Sequence, residues 1–170
     1  EDGNGWLPWD SSDPMNGMTQ ACCTGDENRG MIFSFSADAQ IAWSPPESEA
    51  DWTPFRHLSV RSAQGTRHPN TLDLDDDLVF SIRLVDLAGE SATLRTEDVG
   101  RITHPYRRTG LGSGYGWSNE FNTIRLSLAA FTEVNPALDL SRVDTVFLEF
   151  GPSHGSALGR VAIDDLLLEY

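Results

Sequence analysis

The stretch that most constrains this chain is its closing run, Gly159-Arg160-Val161-Ala162-Ile163-Asp164-Asp165-Leu166-Leu167-Leu168-Glu169-Tyr170. Apolar positions alternate up to Ile163, two adjacent carboxylates interrupt them, and an apolar run resumes. That is the pattern of a β-strand carrying two acids in its middle. A half-buried carboxylate needs hydrogen-bond donors, a cation or a metal, because desolvating an isolated charge is expensive. Calcium, a hard ion that takes several oxygen ligands, suits a site with few bases nearby.

The rest of the chain has the same short-strand grammar. Residues 31–36 and 39–43 are expected as strands about a turn, followed by the Pro45-Pro46 loop; 55–62, 78–86, 91–96, 121–128 and 143–150 follow. Leu87-Ala88-Gly89-Glu90 joins a hairpin, and Asp139-Leu140-Ser141-Arg142 carries a short helical signal. No segment sustains a long amphipathic helical period and no internal repeat occurs. The expected fold is therefore all-β, a two-sheet antiparallel β-sandwich of jelly-roll type, with 1–170 a single domain. Residues 1–29, rich in Gly, Asp, Asn and Ser, read as an irregular arm that caps it. The run Asp73-Leu74-Asp75-Asp76-Asp77 lacks the Gly and final Glu of a helix-loop-helix calcium loop and is expected as a solvated turn.

Composition excludes several functions. The net charge is -14, and all 12 basic residues are Arg. Such a surface repels phosphate backbones, so no nucleic-acid partner is expected. No apolar stretch is long enough to cross a bilayer, so no membrane partner is expected either. The four histidines, His57, His68, His104 and His154, lack zinc-ligand spacing. Cys22 and Cys23 are adjacent, and are either two reduced, partly buried small residues or a vicinal disulfide.

The closing strand, the preceding Ser141-Arg142-Val143-Asp144-Thr145-Val146-Phe147-Leu148-Glu149-Phe150, and the inner-strand segments Trp52 to Val60 and Phe121 to Leu128 together resemble the galactose-binding-like jelly-roll domains found among carbohydrate-binding modules. The resemblance spans roughly residues 30 to 170. It implies a polysaccharide partner, a place in a longer multidomain chain, export from the cell, and a structural Ca2+ shared by the first and last segments. Asp164, preferred to Asp165 from the family's motif, with Glu1 and Asp2, and Asp10 nearby, would then be the metal ligands.

Alternation fixes what the strands display. With Leu58 and Val60 inward, His57, Ser59 and Arg61 point outward; so do Ser81 and Arg83, Thr93 and Arg95, Thr123 and Arg125, and Phe147 and Glu149. If those strands share one sheet, Arg61, Arg83, Arg95, Arg125, His57 and Glu149 form a polar platform. Its guanidinium groups either grip an extended polysaccharide, an acidic one suiting them best, or pair with cross-strand carboxylates. Residues 97–120 form the longest connection, and its Tyr106, Tyr115 and Trp117 are candidates for stacking on sugar rings.

The expected function is a non-catalytic carbohydrate-binding module. A polysaccharide lyase or hydrolase using His104, Tyr106, Arg107 and Arg108 beside Glu120 or Glu149 is the enzymatic alternative, although no nucleophile elbow, HExxH or triad pattern occurs. A protein-interaction or adhesive domain attached to a secreted enzyme is the third.

Overall fold

A computed structural model describes residues 17–20, 29–66, 68–107, 109 and 117–170. Its strands, in chain order, are β1 (Gly17–Gln20), β2 (Arg29–Phe35), β3 (Ala39–Trp43), β4 (His57–Gln64), β5 (Ser81–Asp86), β6 (Ser91–Arg95), β7 (Tyr106–Arg107), β8 (Trp117–Ser118), β9 (Asn122–Ser127), β10 (Val143–Phe150) and β11 (Gly159–Glu169). Two short helices, α1 (Pro69–Leu74) and α2 (Leu128–Val134), interrupt them.

Two antiparallel sheets face one another. One has five strands in the order β1-β2-β11-β4-β9 and the other four, in the order β3-β10-β5-β6. The closing strand is central to the first sheet, hydrogen-bonded to β2 on one side and β4 on the other. The sandwich expected from the strand grammar is thus present, and the acid pair does lie inside a central strand.

The core follows from alternation on both sheets. Phe33, Phe35, Leu58, Val60, Ile124, Leu126, Val161 and Ile163 come from the five-stranded sheet, and Ile41, Ile82, Leu84, Val146, Leu148 and Phe150 from the other. Phe150 is the hub of an aromatic cluster, 4.9 Å from Phe33 edge-on and 5.0 Å from Phe80 in a stacked pair. Trp52 is fully buried, its indole N–H donating to the Glu49 carbonyl at 3.0 Å.

Three local differences from expectation have physical causes. Gly17–Gln20, placed in the irregular arm, pair with Arg29–Ile32 as an edge strand; their composition carries no β signal, and the pairing is imposed by β2. Residues 128–134, which carry no helical stop and start signals of note, turn into α2 directly from β9. Within the long 97–120 connection, an isolated bridge ties Leu78 to Ile102, and β7 pairs with β8. Asp86 organises the β5–β6 turn. Burial works against its charge, but backbone N–H groups of Asp139, Glu90, Ala88 and Gly89 outweigh that and hold its carboxyl below the ordinary range.

Candidate functional site

The two outward faces divide the expected platform. His57, Arg61 and Arg125 lie on the five-stranded sheet, whereas Arg83, Arg95 and Glu149 lie on the four-stranded sheet. Alternation assigned each side chain to the outside; the premise that these strands share a sheet does not hold.

On the four-stranded face the polar residues satisfy one another. Arg83 Nε donates to Glu149 Oε1 at 2.8 Å, and its guanidinium carbon lies 4.0 Å from the centre of the Phe147 ring. The Glu149 side chain is 7% exposed. The loop after β10 folds over it, with His154 Nδ1 3.6 Å from Glu149 Oε2 and the Ser81 hydroxyl donating to the His154 carbonyl at 2.7 Å. Arg95 reaches the Ser153 carbonyl at 3.4 Å. This arrangement fastens a loop onto a sheet and leaves Arg83 little surface to offer.

The five-stranded face is different. Its centre is a β-bulge: Ile163 pairs with Ser62 and Leu166 with Val60, so Asp164 and Asp165 together stand opposite Arg61. Both carboxylates therefore reach the same guanidinium, Asp164 Oδ2 at 3.0 Å and Asp165 Oδ2 at 3.7 Å from Arg61 Nη1. Their side chains differ in depth, 6% exposed for Asp164 and 42% for Asp165. The cation that the acid pair needs is supplied by the neighbouring strand.

Past the bulge the phase of β11 shifts. Leu166 and Leu168 pack toward the core while Leu167 and Glu169 face out. Glu169 then meets Arg125 of β9, Oε2 to Nε at 2.7 Å. The two strands are not neighbours: β4 runs between them, and Ser59 occupies the intervening position, paired with both Leu167 and Arg125. A small side chain there lets the two long ones meet above it. The Ser59 hydroxyl and then Arg125 hold the Glu169 carboxyl below its ordinary range.

Around these pairs lie Thr123 and Ser127 from β9 and the exposed ring of Phe121, 5.0 Å from the Arg61 guanidinium carbon. The β7–β8 hairpin feeds directly into Phe121. In it, Tyr106 is exposed, its hydroxyl donates to Glu120 Oε1 at 3.2 Å, and Arg107 lies over the Trp117 ring at 5.4 Å. Tyr115, Arg108, the cysteine pair, Glu1, Asp2 and Asp10 lie outside the described residues.

The face thus offers guanidinium edges, carboxylate oxygens and hydroxyls side by side, held by mutual pairing, with apolar surface from Phe121 and Leu167. Such paired donors and acceptors complement a ligand rich in neighbouring hydroxyls. Of the residues considered for a lyase, Tyr106 meets Glu120, whereas His104 Nε2 is 3.9 Å from Asp75 and Glu149 is on the opposite sheet with Arg83. Among the described residues no group of three or more His, Cys, Asp or Glu side chains is placed to hold a metal. Of the expected calcium ligands only Asp164 is described, and the Arg61 guanidinium adjoins it.

Sequence reasoning alone does not single out Phe121 or Glu169, and Asp165 enters it only as the alternative to Asp164. No signal marks Glu169, since Leu166, Leu167 and Leu168 are all apolar and fit either phase of the strand.

No family model and no curated relative matches the chain. Solved structures do. The family 11 carbohydrate-binding module from Clostridium thermocellum, in complex with a β-1,3-1,4-mixed-linked tetrasaccharide, superimposes with a TM-score of 0.50 at 13% identity, covering 97% of this chain and 94% of that one. A non-crystalline-cellulose-specific module of family 28 gives a TM-score of 0.51 at 9% identity, covering 99% and 91%. At these identities the likeness is one of fold: the chain is a jelly-roll β-sandwich of the kind seen in carbohydrate-binding modules.

Proposed function

We propose that this chain is a non-catalytic carbohydrate-binding module that holds an extended polysaccharide along the outer face of its five-stranded sheet. The observation that carries the reading is the contrast between the two faces. Arg61 and Arg125 are pinned by carboxylates yet remain 45% and 56% exposed, whereas in the interior of the other face Arg83 is 27% exposed and sits over Phe147, and the similarly exposed Arg95 stands on that sheet's edge strand. Pinned but accessible donors bind without first losing rotamer freedom, which is what preorganisation contributes to affinity. The shared fold with one module bound to a mixed-linked tetrasaccharide and another specific for non-crystalline cellulose supports the same reading. Attachment to a secreted polysaccharide-active enzyme belongs to this proposal.

Affinity electrophoresis through gels containing neutral and acidic polysaccharides tests it. Retardation by at least one polymer, with no new reducing ends or unsaturated products on prolonged incubation, is the expected result. Product formation would make the chain an enzyme, and migration unchanged in every gel would remove carbohydrate from the account.

A structural calcium at Asp164, completed by Glu1 and Asp2, is a separate proposal. An ion that binds only the folded state stabilises it by linkage, so chelator would lower the melting midpoint. An unchanged midpoint leaves Arg61 as the partner that makes Asp164 tolerable.

A further inference from the structure

Where the five-stranded face ends at His57, it opens into a groove of about 500 Å³. Phe55, Arg56, His57, Ser127 and Thr132 line it around the buried Leu128, and no carboxylate is among its lining residues. In a chain of net charge -14, a groove that presents two bases and no acid is electrostatically distinct from the surface around it.

Of the two bases, His57 stands opposite Glu169 and acts electrostatically on its carboxylate, while the Arg56 side chain is not committed elsewhere. Arg56 is exposed and makes no ion pair among the described residues. Its backbone, by contrast, is fixed on both sides. The N–H donates to the Glu169 carbonyl at 2.8 Å and the carbonyl accepts from the Leu128 N–H at 2.9 Å. The adjoining carboxylates are occupied: Glu169 by Arg125 and Ser59, and Asp51 by the N–H and hydroxyl of Thr53 at 3.0 and 2.6 Å. Beside the groove the Phe55 and Tyr170 rings lie 4.8 Å apart, and Tyr170 is 84% exposed.

We infer that this groove receives the anionic substituent of a glycan residue, a carboxylate or a sulfate ester. Arg56 presents its planar fork to the anionic oxygens, and His57 adds a ring N–H. The sheet face, whose own arginines are already neutralised, holds the hydroxyl-rich part of the chain. The inference rests on the polysaccharide reading of that face and adds a preference for acidic sugars at one end.

Calorimetric titration of the wild type and Arg56→Gln with trigalacturonate, with a sulfated carrageenan oligosaccharide and with hydroxyethylcellulose separates the possibilities. The expected result is binding of at least one anionic oligosaccharide, weakened about fivefold to tenfold by Arg56→Gln, with hydroxyethylcellulose affinity the same in both proteins. Which anionic probe binds distinguishes carboxylate from sulfate. Binding of hydroxyethylcellulose alone overturns the groove and leaves the face reading intact; binding of nothing overturns both. Anionic binding that is indifferent to Arg56→Gln, in a variant with unchanged circular dichroism, also overturns the groove. Amide shifts on adding the anionic oligosaccharide that binds are expected to concentrate at Arg56, His57, Ser127 and Thr132, and a map centred elsewhere contradicts the assignment.

Discussion

Arg61 and Asp164 divide unequally between water and protein, 45% against 6% exposed at the side chain, and that inequality decides what each loss costs. Removing the arginine leaves a nearly buried carboxylate without its partner, so Arg61→Ala is expected to lower unfolding free energy by about 1–3 kcal/mol in urea titration. Asp165 is well hydrated, and Asp165→Ala is expected to cost no more than about 0.5 kcal/mol. Equal costs for the two would mean that Asp164 is compensated by something other than Arg61. The need for a partner was legible in the sequence, because two acids inside a strand demand one. Its identity was not, since the Asp164–Arg61 contact exists only in one register of β11 against β4.

The bulge gives the closing strand its peculiar composition. Upstream, Val161 and Ile163 face the core; downstream, Leu166 and Leu168 do, and the extra residue between them resets the phase. Deleting Asp165 would restore simple alternation without moving any core side chain to the surface. That deletion is expected to fold, with a melting midpoint within a few degrees of wild type, whereas deleting Ala162 reverses the facing of neighbouring residues and is expected to abolish cooperative melting. If the two deletions behave alike, the bulge does not set the register. At this scale the sequence disclosed which residues of each strand face outward but not which sheet they join. Arg83 and Arg95 parted from Arg61 and Arg125 because β5 and β6 pair with β10, while β4 and β9 pair with β11, and such long-range pairing leaves no trace in local alternation. The β7–β8 hairpin was hidden for a similar reason, its two strands being two residues each.

Over the whole molecule, four described carboxylates titrate below their ordinary range for local reasons. Asp38 accepts from the Ser153 hydroxyl and N–H, Asp51 from those of Thr53, Asp86 from a set of backbone donors, and Glu169 from Ser59 and Arg125. A folded-state pKa below the unfolded value adds stability that is present above the unfolded value and lost as pH falls through the folded one. Since unfolded carboxylates titrate near about pH 4, the melting midpoint is expected to fall progressively below that pH. A midpoint that holds steady from pH 5 down to about pH 2.5 would show these hydrogen bonds contribute nothing to folding.

The layered fold was legible from short alternating segments and turn residues alone, whereas the site required knowing which strands are neighbours. Its central claim, that the five-stranded face binds and the four-stranded face does not, is tested most directly by measuring Kd calorimetrically for Arg125→Ala and Arg95→Ala against whichever polysaccharide retards the wild type. Both arginines are exposed, 56% and 46% at the side chain, so neither substitution threatens the core. Arg125→Ala is expected to weaken binding about tenfold or more while Arg95→Ala leaves it unchanged. Loss of binding in Arg95→Ala with full affinity in Arg125→Ala would contradict the account.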